Sequence, residues 1–155
     1  VLWVCDTVDS AQQTYIGLKQ ASEKSGIKMG LLHSRFPFFL RDKLEQEWME
    51  LFGPDGVRDG GSILVSTQIV EQSVDLDADA LFSELAPTDM LFQRLGRLWR
   101  HRRDNRPVPA PLFFLLEAGA SLERFRVMVA ISIKKTLGAI GHVYKSWTLL
   151  RTLED

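Results

Sequence analysis

Cysteine is almost missing from this 155-residue chain: Cys5 stands alone, so neither a disulfide framework nor a thiolate metal site can be assembled within it. In the apolar company of "VLWVC" it reads as a small core residue of a first strand. Long hydrophobic runs are missing too. "VLWV", "APLFFLL" and "VMVAISI" fall well short of the ~20 residues that span a bilayer, and no basic-then-apolar signal segment opens the chain. The expectation is a cytoplasmic protein with no membrane contact. A net charge of −1 argues against a uniformly basic coat for nucleic acid. No G-x-x-x-x-G-K-[ST] phosphate loop occurs; "GPDGVRDGGS" has the glycines but neither the lysine nor the spacing.

With 45% hydrophobic and 25% charged residues, the chain has the composition of one globular domain of mixed structure. "VLWVCDT" is a strand, and "DTVDSAQQTYIGLKQASEKSG" is a helix with Asp9 or Ser10 as N-cap and Gly26 as its stop. "IKMGLLHS" is a second strand. "FLRDKLEQEWMELF" is a second helix, with Leu40, Leu44, Trp48 and Leu51 on one face and Gly53 at its end. "ILVST" and "ALFSEL" are further strands, Pro87 and Thr88 set up a helix from Asp89 to about His101, and "PLFFLLEA" closes the series. Such alternation predicts an α/β fold, a parallel sheet with helices on both faces. Ligands on such sheets bind at the carboxyl ends of the strands. That rule places Asp6 to Asp9, His33 to Arg35, Ser66 to Asp77 and Glu84 to Asp89 along one rim. From Ser121 onward, "LERFRVMVAISIKKTLGAI" and "SWTLLRTLED" read as helices of a C-terminal extension. The domain boundaries expected are 1–118 for the sheet domain and 119–155 for the extension.

Charge is uneven. Arg94, Arg97, Arg100, Arg102, Arg103 and Arg106 lie between Gln93 and Arg106 with Asp104 as the single acid, which is either a solvated helix end or an anion site. Stepping ~100° per residue from Leu91, Leu95 and Leu98 fall within about 40° of it, while Gln93, Arg97 and Arg100 gather opposite. Planar cations held in register suit a polyphosphate as charge builds during phosphoryl transfer. An amphipathic helix with a solvated arginine face is the competing reading. After the third strand, Thr67, Glu71 and Asp75 recur every fourth residue, with Gln72 and Ser73 between. Such groups can hold a ribose, a phosphate or the neighbouring arginines. Asp77 and Asp79 read equally well as partners in simple ion pairs.

"ILVSTQIVEQSVDLDADALFSELAP" resembles motif V of superfamily 2 helicases, and "QRLGRLWRH" resembles their motif VI, with the Gln-Arg-x-Gly-Arg-x-x-Arg pattern complete. More narrowly, "TQIVEQSVDLDAD", "LLHSRF" with Arg41, and "VYKSWTLLRTLED" resemble the helicase of type I CRISPR interference, which joins an HD nuclease to a helicase and is recruited by the Cascade surveillance complex. The resemblance implies a RecA-like second helicase lobe (lobe 2) and a cleft that binds ATP and Mg2+ between two lobes. Arg97 and Arg100 would face the phosphates, with Arg100 as the finger on the γ-phosphate. Gln93 would orient them, Asp75 would contact the ribose or couple to motif VI, and Glu71 and Gln72 would line the interlobe surface. Thr67, Gln68, Arg35 and His33 would lie along single-stranded DNA, although His33 also reads as a buried strand-end histidine. Trp99 is given only packing.

No His-Asp doublet is present, and "DLDAD" follows the motif V strand with no phosphate loop before it. The metal, the phosphate cradle and the nuclease would therefore belong to a first lobe and an HD domain outside this stretch. An RNA or DNA-repair helicase lobe, and a nucleic-acid-binding module without hydrolysis, are the alternatives.

Overall fold

The computed structural model describes residues 1–116, apart from Asp59, Ser73 and the side chain of Gln72, and the backbone of 127–132. Its elements are β1 (Leu2–Val4), α1 (Val8–Ser22), β2 (Lys28–Leu32), α2 (Phe38–Phe52), β3 (Ser62–Ser66), α3 (Ile69–Gln72), β4 (Ala80–Glu84), α4 (Thr88–Leu95), β5 (Leu112–Leu116) and β6 (Val127–Ser132). The sheet order is β2-β3-β1-β4-β5-β6. The first five strands pair in parallel, as the alternation predicts, so their carboxyl ends share one rim.

Two apolar layers sandwich the sheet. One joins Leu2, Val4, Leu64 and Leu81 to Trp48 and Phe52 of α2, Val70 of α3 and Leu91 of α4. The other joins Trp3, Cys5 and Val65 to Ala11 of α1. Trp3, Phe82 and Phe114 occupy one register across β1, β4 and β5, and their rings stack at 4.6 and 4.4 Å between centroids. Offset stacking of this kind adds about 0.5–1.5 kcal/mol per pair beyond area burial. Cys5 is buried, and loss of water around its sulfur, helped by the nearby Glu84 carboxylate, pushes the thiol up to about 12. It stays protonated and serves as a core residue.

Gly30 of β2 lies against the Trp48 indole: a Cβ there would fall 2.0 Å from Trp48 Cζ2. Gly30→Ala is therefore expected to cost about 1–3 kcal/mol, the usual cost of overpacking a filled core, read as a lowered denaturant midpoint. An unchanged midpoint would mean that Trp48 can move aside without loss.

Three local expectations change. Thr7, not Asp9 or Ser10, caps α1: its backbone is extended and its hydroxyl accepts from the Ser10 N–H at 3.1 Å, while the Ser10 hydroxyl donates to Glu84 instead. Helix α4 stops at Leu95 rather than running to His101. Gly96 is a poor helix former, and beyond it the chain is held by β4's approach: Ala78 N–H donates to Arg97 O at 2.7 Å and Trp99 N–H to Ala78 O at 2.9 Å, which carries Leu98 into the core. In the third, residues 127–132 of the expected extension form a strand antiparallel to β5. The run "VMVAIS", with its β-branched residues, suits a strand and satisfies the backbone of an otherwise open edge. The rest of the extension, "SWTLLRTLED" included, lies outside the described residues. Among those described, no helix is long and apolar enough to cross a membrane.

Candidate functional site

The rim is organised around an arginine that the helical projection passed over. Arg94, on the buried side of α4, has a fully buried side chain. Its Nε donates to Glu71 Oε1 at 2.7 Å, one terminal nitrogen to Ser83 Oγ at 2.8 Å and Glu84 O at 3.0 Å, and the other to Asp6 Oδ1 at 3.0 Å. One guanidinium thus ties α4 to the ends of β1 and β4 and to α3. Glu84 extends the network by accepting the Asp6 N–H at 2.7 Å. Arg94 lies three residues from Leu91, on the apolar side, and this spacing was the available signal.

Glu71 is accordingly buried and facing inward; it does not line an interlobe surface, because its carboxylate is taken by Arg94. Gln72 ends α3. Arg97 and Arg100 do not project from a helix face, since both lie beyond the end of α4. Arg97 turns back over α3, with Nε donating to Val70 O at 3.1 Å and Nη2 to Glu71 O at 2.6 Å. Burial, and the like charge of Arg100, lower its pKa from the ordinary arginine value, while Asp75 works the other way. Arg100 is half exposed and forms an ion pair with Asp75, whose Oδ1 also lies 3.1 Å from His101 Nε2. Gln93 is exposed on α4. Asp75 and Arg100 are thus brought together, with Arg97 near enough to feel both charges; Gln93 stands exposed on the helix.

The expected nucleic-acid residues divide. Arg35 is exposed and paired with Asp9 at 3.0 Å. The Gln68 amide donates to Asp6 O at 2.7 Å. Thr67 is buried, its N–H donating to Leu32 O at 3.2 Å. His33 is also buried, with its ring stacked on Phe36 at 4.1 Å, so the strand-end reading fits it better than a DNA contact. Its Nδ1 has no hydrogen-bond partner among the described residues. Burial, with the Arg35 charge nearby, lowers its pKa below 6.5. A lowered folded-state pKa means that the unfolded chain binds the proton first. The His33 contribution to stability is therefore complete above pH 6.5 and lost as pH falls towards the folded-state value. His33→Gln should flatten that part of the acid limb in denaturant titrations at stepped pH; an unchanged limb would remove His33 as its source.

Asp77 and Asp79 are ion-pair partners, but of an unusual density. Fully buried Asp77 accepts from Arg103 Nε at 2.7 Å and Arg106 Nη2 at 2.9 Å. Asp79 accepts from Arg106 Nη1 at 2.8 Å and also from Arg58. Arg58 and Arg103 reach on to the backbone carbonyls of Leu51 and Gly56 at the end of α2. This locks the segment that follows α4 onto the sheet. Chemically, the part of the rim around Asp75 offers fixed guanidiniums beside a half-exposed carboxylate, an arrangement fit to meet a polyanion. Among the described residues, no group of three or more His, Cys, Asp or Glu side chains could hold a metal.

Comparisons with known proteins bear on the family and the fold. Residues 1–103 match the family model described as the C-terminal part of the CRISPR-associated nuclease/helicase Cas3. The chain is 45% identical over 107 residues to the Cas3 endonuclease/helicase of Escherichia coli, covering 69% of this chain and 12% of that protein. It is 51% identical over 78 residues to the Cas3 endonuclease/helicase of Thermus thermophilus, covering 50% and 8%. The crystal structure of T. fusca Cas3 with AMPPNP superposes with a TM-score of 0.71 at 37% identity, covering 78% of this chain and 15% of that one. A CRISPR RNA-guided surveillance complex in a pre-nicking state contains a chain that superposes with a TM-score of 0.60 at 36% identity, covering 77% of this chain and 15% of that one. The chain spans only about an eighth of the E. coli relative. By this match and by its sheet of RecA-like helicase order, the chain belongs to the C-terminal family of CRISPR-associated nuclease/helicase Cas3 proteins.

Proposed function

We propose that residues 1–118 form the second motor lobe of an ATP-dependent DNA helicase of type I CRISPR interference, with 119–155 as an extension of that lobe. The observation that carries the reading is the grouping of Arg97, Arg100 and Asp75 at the rim. Arg100 pairs with the half-exposed Asp75 carboxylate, and burial, together with the Arg100 charge, disfavours the charged form of the neighbouring Arg97. A triphosphate would relieve that repulsion, which is the fit expected of an arginine pair facing ATP. Names and titles of relatives point the same way: the curated relatives are called nuclease/helicase, and solved neighbours are titled as ATP, ADP and AMPPNP forms of Cas3.

In this reading Arg100 stabilises charge on the γ-phosphate as the bond to the leaving oxygen lengthens. Arg97, held on the end of α3, fixes the adjacent phosphate oxygens. Asp75 holds Arg100 until the cleft closes and then orients the ribose or the motif VI segment. Gln93 completes the polar lining, and Gln72 is the remaining residue assigned to ATP coupling. Glu71 contributes through Arg94 by fixing α3, on which Arg97 rests. ATP bound with Mg2+ supplies the phosphoryl group, and the metal falls to the first lobe. Arg35, with Gln68 and Thr67 behind it, borders the path of single-stranded DNA, and His33 supports that edge from within. The first lobe, an HD nuclease on the same or a separate chain and a Cascade-type surveillance complex are the partners, in the cytoplasm.

The full-length protein tests this directly. It should hydrolyse ATP in a DNA-stimulated manner and separate DNA strands, with DNA affinity that falls with salt and varies little with sequence. Preference for an RNA duplex would favour the RNA-helicase alternative. DNA binding with no hydrolysis under any nucleic acid would favour a binding module.

A further inference from the structure

The motif VI segment contains a backbone conformation uncommon for its residue type. Trp99 has φ of +49° and is the non-glycine residue with positive φ among those described. Side chains larger than those of Asn, Asp or His rarely hold this region. Three contacts hold it here. The Trp99 N–H donates to Ala78 O at 2.9 Å, the indole Nε1–H donates to Asp79 O at 3.2 Å, and the Arg106 guanidinium lies 4.7 Å from the ring centroid. Arg106 is itself fixed by Asp77 and Asp79. The left-handed turn falls between Leu98, which enters the core, and Arg100, which leaves towards Asp75. Were Trp99 to relax to negative φ, Leu98 and Arg100 could not both keep these places.

We infer that Trp99 is a positioning residue: its indole, gripped between the Asp79 carbonyl and Arg106, fixes the left-handed turn that aims Arg100 at the nucleotide. This rests on the arginine-finger reading above. The grip discriminates among replacements. Histidine tolerates positive φ, offers a ring N–H and keeps a planar ring beneath Arg106. Phenylalanine refills the volume but can neither donate to Asp79 nor hold the turn as readily. Asparagine allows the turn and removes the ring.

The test uses the full-length protein with W99H, W99F, W99N and R100A. It measures kcat and KM for ATP, and equilibrium binding of ADP and of ADP with aluminium fluoride, which mimics the transferring phosphoryl group. For W99N, kcat should fall about 10- to 100-fold, as a reacting group displaced by an ångström does. KM and ADP affinity should stay within about 3-fold, and the aluminium fluoride complex should weaken in step with kcat. Unchanged ADP affinity reports an intact fold. W99H should turn over faster than W99F. The inference is overturned if W99N keeps wild-type turnover and analogue binding while R100A loses both, or if W99F restores turnover and W99H does not. Should R100A itself hydrolyse ATP normally, the finger reading falls, and this inference with it.

Discussion

Arg100→Ala in the full-length protein is expected to lower ATP turnover by about 10³-fold or more, the range over which a guanidinium finger acts on a transferring phosphoryl group. Nucleotide affinity should change far less, because the finger interacts chiefly with charge that develops in the transition state. Stability should hardly move: the Arg100–Asp75 pair is about 40% exposed on both sides, and pairs of that kind contribute about 0–1 kcal/mol. Arg97→Ala should also abolish turnover. It carries an added cost, since Arg97 satisfies two carbonyls at the end of α3, and hydrogen bonds to charged groups contribute about 1.5–3 kcal/mol. ATP hydrolysis measured beside thermal melts separates the two residues. Equal loss of stability in both variants, with turnover following the melt, would return the arginines to a purely structural role.

Arg94→Ala is expected to have the largest effect on stability, about 3–5 kcal/mol, the usual cost of removing one partner from a buried ion pair. The variant leaves the Glu71 carboxylate, 3% exposed, without its cation, and removes the guanidinium donor from Ser83 Oγ and from the Glu84 carbonyl, which keeps the Ser83 hydroxyl as a donor. Glu71→Gln keeps an acceptor for Arg94 and should cost about 1–2 kcal/mol. Denaturant unfolding gives both numbers. A wild-type midpoint for R94A would show that the rim holds together without its central guanidinium.

Much of the sheet was legible because buried parallel strands announce themselves as short apolar runs between turn residues, and "VLWV", "ILVS" and "LFFLL" did so. The site was legible as a set of residues but not as a geometry. Periodicity projected Arg97 and Arg100 from a continuous helix, yet the helix yields at Gly96 because the next residues gain more from the bridge to Ala78. That bridge joins residues twenty apart in the chain, and no local pattern encodes it. Arg94 was missed for the opposite reason: its position on the apolar face was computable, but a charge on such a face makes sense only once Glu71 and Asp6 are known to converge there. The strand at 127–132 was read as helix because an apolar run does not say whether an open sheet edge awaits it.

The arginines of this region suggest from sequence a strongly positive surface. Yet Arg58, Arg103 and Arg106 pair with Asp77 and Asp79, Arg94 with Asp6 and Glu71, and Arg100 with Asp75, five cations with five anions. Such an inner salt has no net monopole, and its field fades within a distance comparable to the ~10 Å Debye length. A phosphate would not be drawn to this rim from afar. It would be recognised only on arrival, when cleft closure brings it against guanidiniums already fixed in place, so that the rim responds to position rather than to charge at a distance.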